Sequence, residues 1–544
     1  MDCKMLRKRL DTLQSSRKVV EQQWNLVREY VVPYRGNFLQ EGVMESSVNW
    51  QENRRVFDST AINANNILAS SIHGAVTNPS TQWFQFRFRD DKLSDHTEAA
   101  QWLHECGQIV FETLRDSNFN LQANECYLDL TSFGSAFITK EILEDGAGGF
   151  EDFLFQSIPL EEVFFEQDYR GRIQNVYRKM KWSAVQILSK FGDNTPDVIK
   201  EKAQNNATDQ DITVVFAVYK REGSVAEASM VASPERRPYG YKYFLYEDST
   251  QLGDEGGYYS MPALAMRWRK TSNSVWGNSP AMIAMPDIVT LNQLVELILD
   301  SLEKVVDPAI KVTERGLLSD LNLGPAGVNV LRSLEDMEAF ESRARFDVAE
   351  LNREKLQASI RSIFYVDQLE LKEAPAMTAT EVNVRYELMQ RLLGPTLGRL
   401  ESDFLDPLVS SAFADLMRYK RLPPMPAQVS EHKNPVLNIE YTGPMARAQK
   451  QDQAQSLTTF LGSVAQMMEV APPMGARVDW NQAVVMLAEY TGVEPRVLKS
   501  EATMKKEQKQ AEEQARRMQE AEIAGAEGQA MESIGKGEQL MRGV

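Results

Sequence analysis

Apolar positions recur at helical spacing from the start of the chain: Leu6, Leu10, Leu13, Val20, Trp24, Val27 and Val31 share a face until Pro33 closes the run. A second stretch of the same period extends from Val56 to Val76. The period then changes, because Asn78-Pro79 makes a turn and Gln85, Arg87 and Arg89 alternate with Phe84, Phe86 and Phe88. This predicts a strand with one wet face. Helical spacing returns in "AAQWLHECGQIVFETLRDSNF", and residues 128–268 read mostly as strands interrupted by one short helix over 183–191. The first half is α+β in character.

From Ser279 the pattern is mainly helical, with two arms flanking an insert over 308–346 that Gly and Pro punctuate. A long helical tract follows, opened by a capping box of Thr378 and Glu381, interrupted at Gly394-Pro395 and ended by Pro423 and Pro424. One strand-like piece, "PVLNIEYTG", precedes a return to helix. The last stretch, from Glu501, has mixed charge, no aromatic residue and little periodicity, which reads as a solvated helix fraying into disorder.

The segment after Ser279 has the most unusual polar face. Ser279 is placed as N-cap and Pro280 as the first helical residue, while Pro286 either kinks the helix or ends a first short one. Glu296, Asp300, Glu303 and Asp307 then follow in steps of 4, 3 and 4, which puts them on one narrow stripe. Leu291, Leu294, Val295, Ile298, Leu302 and Val305 take the opposite arc. Like charges at this spacing cost a few tenths of a kcal/mol each, and Lys304 stands off the stripe. The stripe is either an ordinary solvated face or a wall that meets a polyanion without gripping it.

Composition narrows the choice. At 544 residues two or more packed regions are expected. A formal net charge of −17 argues against tight phosphate-clamping of nucleic acid, though not against a loose encounter. No leader and no apolar run of 18 or more is read from the sequence, so neither secretion nor membrane insertion is expected. Cys3, Cys106 and Cys126 are too scattered for a disulfide frame, which points to a reducing compartment.

Catalytic patterns are missing. "SIGKGEQL" lacks the upstream Gly and the hydroxyl residue of a phosphate loop, so no ATPase is expected. His104-Glu105-Cys106 has no second ligand pair at metal spacing, and "GNSPA" suits a helix start better than a nucleophile elbow. No catalytic residue, metal or cofactor is assigned.

Taken in order, "SIHGAVTNPSTQWFQF", "SFGSAFITKE", "IPLEEVFFEQDYRGRIQNVYRKMKW", "PALAMRWRK", "VWGNSPAMIAMPDIVTLNQL", "TATEVNVRYELMQRLLGPTLGRLESDFLDPL" and "IEYTGPMARAQK" resemble the portal, or head-to-tail connecting, proteins of short-tailed bacteriophages. The resemblance spans most of residues 1–450 and thins over the last hundred. It implies a helix-rich α+β portal fold that assembles as a ring, typically a dodecamer, at one capsid vertex. Residues 1–275 would form the wing, 276–307 and 347–366 the stem helices, 308–346 the clip and 367–380 the tunnel loop. The long wing helix would take 381–420, a wing strand 421–444, and the crown with a C-terminal helical barrel or tail 445–544.

Roles follow by the same resemblance. Leu291, Val295, Ile298 and Leu302 would pack the stem against neighbouring subunits; inferred from the spacing and not from the resemblance, the stripe from Glu296 through Asp300 and Glu303 to Asp307 would face the channel or its mouth. Asp367, Glu370, Lys372 and Glu373 would belong to the tunnel loop, where Lys372 makes either a weak phosphate contact or a local salt bridge. Arg315 and Arg332 would meet partners at the clip. The expected partners are further copies of the chain, double-stranded DNA passing non-specifically, the terminase, the major capsid protein, a tail adaptor and internal core or scaffolding proteins, with no membrane. The expected place is the virion, after assembly in the host cytoplasm. A role as an internal scaffold or core protein of the head is the competing expectation.

Overall fold

The computed structural model describes residues 1–34, 56–90, 97–146, 148–204, 212–222, 233–271, 274–313, 320–322, 324, 328–339, 346–369, 393–430, 437–441, 444–470, 478 and 480–491. In chain order the elements are α1 (Cys3–Tyr30), α2 (Thr60–Val76), β1 (Phe84–Phe88), α3 (Thr97–Asp116), α4 (Phe119–Phe133), β2 (Ser135–Glu144), β3 (Phe150–Ile158), β4 (Val163–Gln167) and β5 (Ile173–Trp182). They continue with α5 (Ala184–Phe191), α6 (Asp197–Gln204), β6 (Ile212–Lys220), β7 (Tyr239–Leu245), β8 (Gln251–Tyr258), β9 (Ala263–Arg267), β10 (Arg269–Lys270) and β11 (Gly277–Asn278). The second half holds α7 (Pro280–Val306), β12 (Ile310–Val312), β13 (Met337–Ala339), α8 (Phe346–Ile363) and α9 (Val366–Leu369). A helical run over 393–400 leads through a π turn at Glu401–Leu405 into α10 (Asp406–Arg418), followed by α11 (Ala427–Ser430), β14 (Leu437–Tyr441), α12 (Pro444–Val470) and α13 (Trp480–Thr491). The chain is α+β and helix-rich.

Two compact units divide it, Met1–Gln82 with Val110–Arg421, and Trp83–Ile109 with Leu422–Val544. In the first unit a five-stranded antiparallel sheet runs β4-β5-β6-β7-β8, and a three-stranded one runs β3-β2-β9. Strand alternation sends Tyr177, Val215, Ala217 and Phe244 to one face, where Leu6 and Leu10 of α1 cover them. The opposite face carries Met180, Phe216 and Val218 beside a row of half-buried tyrosines, Tyr239, Tyr241 and Tyr243. Arg17 anchors α1 from within the interface: its guanidinium lies 3.7 Å over the Phe164 ring and donates to the carbonyls of Leu160, Glu161 and Val163. A buried cation is tolerable here because each edge meets an acceptor.

The second unit pairs β1 with β14 in antiparallel register, from Phe84 opposite Tyr441 to Phe88 opposite Leu437. Phe84, Phe86 and Phe88 are buried, as the alternation predicts. Trp83 stacks on Tyr441 at 6.3 Å, and the Trp102 indole donates to the Pro423 carbonyl at 3.0 Å.

Three local expectations need correction. Residues 128–133 close α4 instead of opening a strand, because the Thr131 and Ser132 hydroxyls donate to carbonyls one turn back and can be buried inside a helix. Helix α6 carries no periodic signal in the sequence; only Ile199 and Ala203 of its eight residues are buried, too few to register a period. The long tract ends at Arg418, ahead of Pro423 and Pro424, because Lys420 turns left-handed at φ 55° and Arg421 N–H bonds back to the Leu416 carbonyl. Gly394 and Pro395 fall in the first turn of the described run, while Thr378 and Glu381 lie outside the described residues.

Candidate functional site

Helix α7 begins as its sequence dictates. The Ser279 hydroxyl accepts from Met282 N–H at 3.0 Å and itself donates to the Ser132 carbonyl at 2.6 Å, so the cap that starts the helix also ties it to the end of α4. Pro286 sits inside the helix without ending it. Twenty-seven residues give a rod of about 40 Å.

The upper part of the rod is held by polar contacts. Asn292, buried on α7, accepts from the N–H groups of Phe57 (2.8 Å) and Asp58 (3.1 Å) and donates to the Ile288 carbonyl. Asp58 in turn accepts from Thr60 N–H and from the Gln357 amide of α8. Ser359 of α8 donates to Asp287 at 2.7 Å. These five side chains, Asp58, Asp287, Asn292, Gln357 and Ser359, fasten α2, α7 and α8 together, and none of them stands out in the sequence. The one available signal is an Asn on an apolar arc between Ile288, Leu291 and Val295. Asn292→Leu is expected to leave two N–H groups without their acceptor and to cost about 2–3 kcal/mol, read as a lowered midpoint in urea unfolding; an unchanged midpoint would remove Asn292 from the joint.

Below Asn292 burial stops. Leu291 is buried and Val295 and Ile298 are half-buried, but Leu302 is exposed, as are Leu297, Leu299, Val305 and Val306, the last at 82%. Glu296, Asp300 and Glu303 are exposed too, and at 100° per residue they share an arc of about 60° with Asp307. Asp307 caps the helix at φ −124°, one residue past its end. None of the four carboxylates forms an ion pair or hydrogen bond among the described residues. The lower part of α7 therefore presents a carboxylate stripe bordered by bare leucine and valine.

The hairpin of β12 and β13 closes the far end, with Ile310 opposite Ala339 and the Thr313 hydroxyl 2.6 Å from Asp336. Arg332 is exposed beside it, and Arg315 lies outside the described residues. Helix α8 ends at Ile363, and Tyr365 turns the chain with φ 60°, its hydroxyl accepting from Arg269 at 3.0 Å. Asp367 is exposed on α9; Glu370, Lys372 and Glu373 lie outside the described residues.

A family model described as "Bacteriophage head to tail connecting protein" matches residues 3–498. The chain belongs to that family. This connector is 25% identical over 486 residues to the "Probable portal protein" of Bordetella phage BPP-1, covering 86% of this chain and 84% of the relative. It is also 25% identical over 477 residues to the "Portal protein" of Salmonella phage epsilon15, covering 86% and 83%. A solved structure titled "Virion of native gene transfer agent (GTA) particle" aligns over 74% of this chain and 87% of that one, with a TM-score of 0.37 and 11% identity. Family membership and both phage relatives support a viral portal function, and a connector is a structural component of the particle.

Proposed function

We propose that copies of this connector close into a ring of about twelve at one capsid vertex, and that double-stranded DNA passes through the bore during packaging and ejection. The observation that carries the ring is the bare apolar surface of the lower stem. By length and composition α7 is apolar enough to cross a bilayer, and most of it is left uncovered. Its polar fastenings at Asp287 and Asn292 belong instead to a packed protein joint. Leaving Leu297, Leu299, Leu302, Val305 and Val306 in water costs on the order of 1–2 kcal/mol each, and a neighbouring stem removes that cost. Val295, Ile298 and Leu302 would lie in that contact, whereas Leu291, expected there from the sequence, is already buried within its own chain.

Once neighbours cover the apolar flanks, the carboxylate stripe is left to face the bore. Phosphates slide past such a wall, because each Lys or Arg contact would trade for released counterions and hold the strand. Glu370, Lys372 and Glu373, which follow α9 and its exposed Asp367, would belong to the loop nearest the duplex. The clip, through Arg332 and Arg315, would take the terminase during filling and a tail adaptor afterwards, while the major capsid protein surrounds the ring. The connector itself supplies no catalysis in this reading; energy comes from the terminase.

The stripe is tested by replacing Glu296, Asp300 and Glu303 with Lys. Rings should still form in electron micrographs viewed end-on, while the yield of DNA-filled heads falls at least about tenfold. Normal filling with intact rings would remove the stripe from the bore. Monomers or open polymers of the unmodified protein would remove the ring.

A further inference from the structure

Away from the stem, the first unit holds a cluster of donors that outnumber their acceptors. Arg267, at the end of β9, is only 3% exposed; its Nε donates to Asp403 of the π turn at 2.9 Å, and its Nη2 lies 2.8 Å from the same carboxylate oxygen and 3.5 Å from the Gly171 carbonyl. Its buried Nη1 has no hydrogen-bond partner among the described residues. Gln167, at the end of β4, receives Lys270 Nζ on Oε1 at 3.1 Å, and its buried Nε2 likewise has no partner among them. A Cβ on Gly171 would stand 3.5 Å from Lys270 Nζ, so one turn touches both cations. Arg399 adds a third, 3.9 Å from Asp403.

Two guanidiniums thus share the Asp403 carboxylate, Lys270 stands nearby on Gln167, and two buried N–H donors have no acceptor among the described residues. Burial, and after it the nearby Arg267 and Arg399 guanidiniums, lower the Lys270 pKa, while Asp403 opposes them. Asp403 cannot answer the whole cluster, because it engages Nε and Nη2 of Arg267 and leaves Nη1 bare. Buried N–H groups are almost always paired, so the arrangement calls for an added acceptor with several lone pairs.

We propose that this cluster is an oxyanion site of the phosphate class, in which Arg267 Nη1, Gln167 Nε2 and Lys270 Nζ donate to one small ion. A free ion is favoured over a phosphate within DNA, since the depth of Arg267 admits a small ion more readily than a duplex backbone. The ion would also fasten the π turn carrying Asp403 to the sheet edges at Gln167 and Arg267.

The test is a melting and calorimetric titration of the full chain with inorganic phosphate at constant ionic strength. The unmodified protein should melt a few degrees higher in about 10 mM phosphate than in matched chloride. Lys270→Gln should weaken phosphate binding at least about fivefold. Gln167→Glu places a carboxylate beside Lys270, so this variant should melt higher than the unmodified protein without phosphate and respond to phosphate no further. Equal melting in phosphate and chloride, or an unchanged response in both variants, would overturn the site. Displacement of phosphate by a short DNA duplex would overturn the assignment to a free ion.

Discussion

Gly134→Ala is expected to cost at least about 4 kcal/mol and to leave little folded subunit. Gly134 ends α4 in the left-handed region at φ 78°, where an L side chain is strained by about 1–2 kcal/mol. Most of the cost is steric. A Cβ there would lie 2.7 Å from the Gly277 carbonyl carbon and 2.9 Å from that of Asn278, with the Gly277 oxygen closer still. These are backbone atoms that cannot swing aside. Gly277 is held in place by its own N–H, which donates to Ser135 Oγ at 2.9 Å, and the Gly134 carbonyl accepts from Trp268 N–H at 2.9 Å. The approach is mutual, because a Cβ on Gly277 would meet the Gly134 carbonyl and sit 3.0 Å from Trp268 N.

Two residues beyond Gly277 lies the Ser279 cap, so the crossing sets where α7 begins. Gly74→Ala supplies the control: it is helical with nothing within 4 Å of a new Cβ, and it should be neutral or stabilising by up to about 1 kcal/mol. Thermal melts of both variants decide the matter. If Gly134→Ala melts within about 2 °C of the unmodified protein, the crossing does not set the start of α7.

Short-range order was legible in the sequence. Seven apolar positions at helical spacing named α1, alternation named β1, and Ser279-Pro280 named the start of α7, because each signal is local and repeats. Contacts that join distant segments were not legible. Arg17 sits on the helix that the apolar period predicted, yet nothing nearby announces that carbonyls of residues 160–163 wait for it. Gly134 and Gly277 are far apart in the chain, and neither neighbourhood marks the approach. Asn292 interrupts an apolar arc, which reads as a weakened helix until the amides of Phe57 and Asp58 are seen against it. For the candidate site, the carboxylate stripe was legible as spacing, since steps of 4, 3 and 4 need only the helical period. What the stripe faces in the proposed ring would depend on neighbouring copies, which no single chain encodes in a local pattern.

Asp415→Leu is the second large effect, expected at about 3–5 kcal/mol, with most of it recovered when Lys140→Met is added. Lys140 and Asp415 are 5% and 4% exposed, and Nζ lies 2.6 Å from Oδ2. Ser411 Oγ accepts from the same ammonium at 2.8 Å, the Phe153 ring lies beneath it at 4.9 Å, and Arg418 takes the other carboxylate oxygen at 2.6 Å. Burial lowers the Lys140 pKa, and the Asp415 charge and hydrogen bond offset part of that lowering. With Asp415 gone, two cations face each other without an anion and the lysine sheds its proton in the folded state. The unfolded chain keeps that proton up to its ordinary pKa near 10.5, so the stability of Asp415→Leu should rise with pH through the window below that value. Lys140→Met alone should cost less, because Asp415 retains Arg418. Urea unfolding of the two single variants and the pair, at pH 7 and pH 9.5, measures the coupling directly. A double variant as unstable as Asp415→Leu alone would mean that the loss comes from disturbed packing of α10 against β2, and that the stranded charge contributes little.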